Sequence, residues 1–327
     1  MNPIPFFLVV LASLLAIDAR SQSPASSTQS YPQRALRAIV ANIPGGGSDI
    51  SSRIVAEGLS NALGKQVVVD NRGGAGGTLG VSIAAKATPD GYTVLMGSIA
   101  THGINPALYK LPYHPLNDFA PISMIGTTPN VVVVHPSVPA ATLKEFIAYA
   151  KANPGKITYG SSGVGGSPHL AMELLKTMTG IDIIHVPYKG AGAVAIDLMG
   201  GQVQAASASV TGQLPYIKSG KLRALAVTST KRIAPLPDVP TAAEAGVPGY
   251  EVTIWYAMFA PAAVPKAIVA RLNAEMVKLL NAPDMKARLA QQGIDASAST
   301  PEDLSRFVQT EIAKWAKVVK AAGIVAD

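Results

Sequence analysis

The chain has 327 residues, with 27 Lys and Arg against 20 Asp and Glu, a net charge of +7 and no cysteine. Apolar residues make up 48% of it and charged ones 14%, which excludes disorder and supplies core material for two ordinary domains. The basic residues are scattered singly with no aromatic platform, which argues against a nucleic-acid partner, and the absence of cysteine excludes disulfides, thiolate metal sites, lipid-anchor thiols and a cysteine nucleophile.

In chain order, residues 6–17 form an apolar stretch too short to span a bilayer, followed by small and polar residues through Ser30. This is the pattern of a secretory signal peptide over residues 1–21, cleaved after Ser21 or after Ala19, although no Lys or Arg occurs before residue 8. The expected location is the periplasm. No other stretch reaches 18 consecutive apolar residues, so the mature chain is expected to be soluble.

From Leu36 the pattern alternates strand (36–43), glycine loop, helix (about 49–63), strand (67–70), glycine loop, helix (about 78–87) and strand (92–97), the signature of a parallel sheet. The first helix carries Ile50, Ile54, Val55, Leu59 and Leu63 on one face, Ser48 or Asp49 as N-cap and Gly64 as its stop. A second alternating block runs from the valine run 131–134 to about Thr228, with strands near Ile157, Ile183, Val203 and Leu222 and a capping box of Thr142 with Glu145. After the proline-dense connection 234–240, two helices finish the chain, the last with Thr300 as N-cap, Pro301 in its first turn, Asp303 completing a box and Trp315 on its apolar face. If those helices pack on the first block, the chain crosses between lobes near 121–124 and near 253–256 and makes a hinge.

The expected fold is thus α/β, two-lobed, with lobe 1 over residues 31–125 and 254–327 and lobe 2 over residues 126–253. Each lobe carries a glycine- and serine-rich loop between a strand and a helix: Pro44, Gly45, Gly46, Gly47, Ser48 and Asp49 in one, Ser161, Ser162, Gly163, Val164, Gly165, Gly166 and Ser167 in the other. Unpaired N–H groups and the positive end of a helix dipole converge at such a loop and suit a carboxylate or phosphate, so a pair of them implies an anion gripped from both sides.

Ile43 to Asp49, the run Val69-Asp70-Asn71-Arg72-Gly73-Gly74-Ala75-Gly76-Gly77, Pro89-Asp90-Gly91-Tyr92-Thr93, the run from Lys221 to Thr228, Leu236-Pro237-Asp238-Val239-Pro240-Thr241 and Trp255-Tyr256 resemble the Bug-type periplasmic solute receptors of tripartite tricarboxylate transporters. The resemblance extends in order over essentially the whole mature chain. It implies a periplasmic-binding-protein (Venus-flytrap) fold that captures a small organic anion, commonly a carboxylate, and presents it to membrane permease subunits, with no catalysis and no cofactor. It also implies that the loop of Gly45 to Asp49 and the loop of Ser161 to His169 close on ligand carboxylate. At Gln202-Val203-Gln204 this chain departs from the family, which more often has an acid in the third position, and an alanine-rich run including Ser207 follows.

The candidate ligand-binding residues are therefore Gly45, Gly46, Gly47, Ser48, Asp49, Ser161, Ser162, Gly165, Gly166, Ser167, His169 and Ser207, with Ser98, Thr101 and Tyr188 beyond strand carboxyl ends. Asp49 is equally readable as a capping acid, His169 as a structural histidine, and Lys189 as a solvated charge. The run Gly74-Ala75-Gly76-Gly77-Thr78-Leu79-Gly80 imitates a dinucleotide fingerprint weakly, the run Gly160 to Val164 lacks the last glycine of a nucleophile elbow, and the histidines at 102, 114, 135, 169 and 185 lack metal-ligand spacing. Dehydrogenase, serine hydrolase and metal chemistry are correspondingly disfavoured. A sensor that passes ligand occupancy to a signalling partner such as a kinase uses the same architecture and stays open as an alternative.

Overall fold

Short apolar runs such as Leu36 to Val40 become strands because glycine or proline bounds them on both sides, while the longer stretches between them carry helical spacing. The computed structural model describes residues 31–321 and 323; the expected signal peptide lies outside them. The order is β1 (Leu36–Val40), α1 (Gly47–Leu63), β2 (Val67–Asn71), α2 (Thr78–Ala85), β3 (Thr93–Ser98), α3 (Asn105–Leu108), β4 (Phe119–Val134), α4 (Leu143–Ala152), β5 (Thr158–Ser161) and α5 (Ser167–Thr179). It continues β6 (Ile184–Pro187), α6 (Ala191–Met199), β7 (Ala205–Ser209), α7 (Val210–Lys218), β8 (Arg223–Val227), β9 (Thr253–Pro261), α8 (Lys266–Asn281), α9 (Pro283–Gln291), β10 (Asp295–Ala296) and α10 (Pro301–Ala321).

The main sheet runs β2-β1-β3-β9-β4-β7-β5-β6, with β8 and β10 also paired to β4. Strands β1, β2 and β3 are mutually parallel, as are β5, β6 and β7, whereas β9 and β4 run antiparallel to their neighbours. The 16-residue β4 serves both halves of this sheet. Its first part pairs with β9, from Phe119 opposite Pro261 to Pro129 opposite Thr253, and from Asn130 onward it pairs with β7 and β8 instead. The change of partners falls at Pro129 and Asn130, so residues 121–124, expected at a crossing, still pair with β9.

The four valines 131–134 read as one apolar block because helices cover both faces of the sheet there. Val132 and Val134 enter a core with Phe146, Tyr159 and Leu175, while Val131 and Val133 enter another with Leu198, Leu214 and Leu222. The C-terminal part holds three helices rather than the expected two: Pro283, with no N–H to continue α8, starts α9. At α10 the cap forms as the sequence implies, Thr300 Oγ1 accepting the Asp303 N–H at 3.0 Å.

Behind β3 the chain makes one turn of π-helix at Ile99–Ile104, which buries His102 completely. Its ring stacks on Phe259 at 4.2 Å, its Nδ1 lies 2.9 Å from Thr101 Oγ1, and Nε2 has no partner. Burial pushes the imidazole down to about 3. Unfolding restores an ordinary value of about 6.5, so the unfolded chain binds one more proton between these values and stability falls as pH drops through that window. A His102→Phe variant is expected to remove up to about 1.4 kcal/mol per pH unit from the slope of stability against pH between neutral and about pH 4. Urea unfolding of both proteins across that range checks it; parallel slopes refute it.

Candidate functional site

The carboxyl ends of β1, β2, β3, β5 and β6 all open onto one cavity of about 480 Å³. This is where a parallel sheet with crossover helices leaves backbone groups free for a ligand. One wall is built by Asn42 and Ser48 after β1, residues 74–77 after β2, and Ser98 and Thr101 after β3, with Tyr109 at its edge. Residues 162–164 and Gly166 after β5, and residues 187–190 after β6, build the other. Among the described residues that line it, no side chain is acidic and Lys189 is the one with a formal charge.

Of the sequence-derived candidates, Ser48, Ser98, Thr101, Ser162, Gly166 and Tyr188 line this cavity. Not all offer a free group. Thr101 Oγ1 accepts the Ser98 N–H at 2.9 Å and Tyr188 donates its hydroxyl to Asp197 Oδ2 at 2.8 Å; burial, and after it this acceptor, raises the phenol to about 12. Tyr188 therefore presents its ring.

The remaining candidates do not line the cavity. The first glycine loop packs against α6 and β7 of the other half of the sheet and against β9 of its own: a Cβ on Gly46 would lie 3.3 Å from Ala191 Cβ, and one on Gly47 would sit 2.6 Å from Ser209 Oγ and collide with Tyr256 OH. Gly46, not Ser48 or Asp49, is the N-cap of α1, and it caps without a side chain. Asp49 instead folds back on its own loop, Oδ2 accepting the Gly45 N–H at 3.0 Å and Oδ1 accepting from Arg53 Nε and Asn71 Nδ2, each at 3.0 Å. Burial raises its carboxyl, but those three donors and the Arg53 charge outweigh it and hold the group below the usual carboxylate range. Asp49 fixes the loop and has no oxygen turned to the cavity.

In the second loop, Ser161 is fully buried and its Oγ lies 2.6 Å from His185 Nε2, 3.0 Å from Gly163 O and 3.2 Å from the Gly163 N–H that it accepts. His169 turns inward as well: its Nδ1 accepts the Gly165 N–H at 2.9 Å. Gly165 meets Leu108, Ser167 Oγ is buried without a partner, and Ser207 is fully buried with Tyr250 OH 3.5 Å away. Several lining groups are not among the sequence-derived candidates. Residues 74–77 imitate a dinucleotide fingerprint only weakly in sequence, although their position between a strand and a helix matches the other loops, and Lys189 has the sequence context of a solvated charge. Tyr109 left no local signal, because its role rests on donating to Val164 O, 55 residues away, at 2.8 Å.

A second groove, of about 520 Å³ at the opposite end of β1 and β3, pairs its charges internally. Arg72 and Arg34 bind Asp70 and Asp90, respectively, at 2.9 Å, and Arg37 Nε donates to Asp70 Oδ2 at 2.7 Å.

Loops at the strand ends of two sheet halves, facing each other over a cavity without an acidic side chain, define a solute-binding protein of the two-lobed periplasmic type. The chain belongs to the tripartite tricarboxylate transporter family of receptors, whose model matches residues 51–324. It is 36% identical over 319 residues to BugT of Bordetella pertussis, with 97% of each chain covered. Among solved structures it resembles R. palustris Rpa4515 with adipate (TM-score 0.88, 38% identity, 90% of this chain and 99% of that one). It also resembles MatC from Rhodopseudomonas palustris with bound malate (TM-score 0.82, 33% identity, 88% and 100%).

Proposed function

We propose that this protein captures a small organic carboxylate, with a diacid as the best fit, in the cavity between its two halves and delivers it to a membrane permease without chemical change. The observation that carries the reading is the cavity's lining: backbone and hydroxyl groups on both walls, no carboxylate, and one cation at Lys189. Such a surface favours an anion through dipoles and one charge and offers an ammonium group no carboxylate to pair with, which disfavours amino acids. Relatives bound to adipate and malate support the same class. We further propose that one lobe comprises the chain up to Pro129 together with the part from Thr253 onward, the other the segment between, with the hinge where β4 changes partners.

Catalysis has no support from the side chains present. Ser161 and His185 stand at the distance of a nucleophile and its base, yet Ser161 is fully buried and outside the cavity lining. Burial, with the neighbouring His169, depresses His185 to about 4, which leaves it a weak base at neutral pH.

The test is a thermal-unfolding titration of the mature protein with adipate, malate, succinate, their monoamides and common amino acids. A diacid present at a hundredfold excess over its Kd is expected to stabilise the protein by about 2.7 kcal/mol, with smaller effects for monoamides and none for amino acids. Binding confined to amino acids or to uncharged solutes would overturn the reading.

A further inference from the structure

Directly behind the loop 161–167 lies a stack of rings that the ligand reading does not use. His169 and His185 are face to face, centroids 3.9 Å apart and 10° from parallel, and Tyr159 stacks on His185 at 4.9 Å. Each imidazole holds one part of the loop. His169 Nδ1 accepts the Gly165 N–H at 2.9 Å, and His185 Nε2 meets Ser161 Oγ at 2.6 Å, the same hydroxyl that accepts the Gly163 N–H. The two residues bound directly by a ring, Ser161 and Gly165, are absent from the cavity lining, which Ser162, Gly163, Val164 and Gly166 form.

The bond from Gly165 fixes the protonation state. A ring nitrogen that accepts an N–H carries no proton, so His169 is neutral with its hydrogen on Nε2, pointing towards Glu173 Oε1 at 3.9 Å. A second proton would place an N–H on Nδ1 against the Gly165 N–H, two donors facing each other. The groups acting on the rings are Tyr159 on β5, Glu173 and Lys176 on α5, and each ring on the other. Tyr159 donates to Glu173 Oε1 at 2.5 Å and Lys176 approaches the same oxygen at 2.8 Å, so Glu173 is already engaged and its pull on His169 is offset. Burial is the largest effect on both imidazoles and lowers both, and Glu173 raises them only in part.

We propose that His169 and His185 are positioning residues for the loop 161–167: as neutral, stacked rings they pin it from behind at Ser161 and Gly165 so that the residues between and after these face the ligand, and protonation of His169 releases the loop and weakens capture. The proposal rests on the carboxylate reading of the cavity for its second half only. The ring geometry decides the first.

Two measurements test it. In the unliganded protein, nitrogen-15 spectra are expected to show His169 as the Nε2–H tautomer. Exchange protection of the Gly165 amide is expected to disappear on acidification in the wild type and to persist in His169→Asn, whose side-chain oxygen replaces Nδ1 as acceptor and cannot titrate. A Gly165 amide unprotected at neutral pH, or losing protection identically in both proteins, overturns the proposal. With adipate as probe, His169→Asn is expected to bind within about three-fold of the wild type at neutral pH and His169→Ala about ten-fold more weakly. As the pH falls below the ordinary imidazole range, because burial lowers His169, the wild type is expected to lose affinity faster than His169→Asn, a ratio that cancels the titration of adipate itself. Parallel profiles, or tighter wild-type binding in acid because the imidazolium attracts the anion, refute the switch. Failure of every carboxylate to bind sinks the reading of the cavity, while the Gly165 exchange still decides the positioning role.

Discussion

A Gly165→Ala protein is expected to bind adipate at least about ten-fold more weakly than the wild type, while the unliganded protein melts only about 2–4 °C lower. The backbone at Gly165 has φ +71, a conformation that a side chain occupies at a cost of about 1 kcal/mol, and this accounts for the small loss of stability. The larger effect comes from Leu108. A Cβ on Gly165 would overlap Leu108 Cδ1 and lie 3.0 Å from Cγ and 3.2 Å from Cδ2, so the whole isobutyl group has to withdraw rather than one methyl. The next residue, Tyr109, makes the 2.8 Å bond to Val164 O and would be drawn off with it. In the proposed mechanism these contacts form on closure, so the clash is felt when ligand binds and is relieved when the lobes part. Calorimetric titration of Gly165→Ala, Leu108→Ala and the double variant checks this. Leu108→Ala added to Gly165→Ala should restore part of the affinity, and a single variant that binds within two-fold of the wild type refutes it.

Replacing Glu311 with alanine is expected to cost about 4 kcal/mol of stability and to lower the melting temperature by about 8–15 °C. Its Oε2 accepts two indole N–H groups, from Trp255 on β9 at 2.9 Å and from Trp315 on α10 at 3.0 Å. Both rings are buried, at 1% and 7% exposure, so the variant leaves two donors with neither acceptor nor water. An orphaned buried donor costs about 1–3 kcal/mol, and these bonds are to a charged acceptor. Glu311→Gln keeps one oxygen in place and should lose about half as much. Tryptophan fluorescence during thermal unfolding follows the affected groups directly; a loss below about 1 kcal/mol for the alanine variant refutes the account.

Local order was legible where one short-range cause decides it. The capping boxes at Thr142 and Thr300 formed, and the strands of both blocks fell between their glycine loops. What escaped was set by pairing at long range. Pro121 and Pro129 argue for breaks, but both sit inside β4, and next to Pro121 a register shift against β9 absorbs the missing donor. Asp49 looked like a cap or a ligand contact because its sequence position is right for both. Its carboxylate went to Arg53 and Asn71, and the latter comes from a different strand. In the same way, His169 follows the cavity-lining loop, in the first turn of α5, but is turned away from the cavity, since the stack with His185 needs a residue from β6 that periodicity cannot place.

The position of β9 between β3 and β4 has a consequence for how the chain assembles. Strands β1 to β4 are made first, yet β3 and β4 cannot be joined until residues 253–261, nearly the last strand to emerge, slide between them. Until then each keeps an open edge of unpaired N–H and C=O groups, the ordinary template for pairing with another chain. A polypeptide that ends before residue 253 is left permanently in that state, whereas the half built from β5 to β8 lies wholly upstream and its own pairings wait for nothing later.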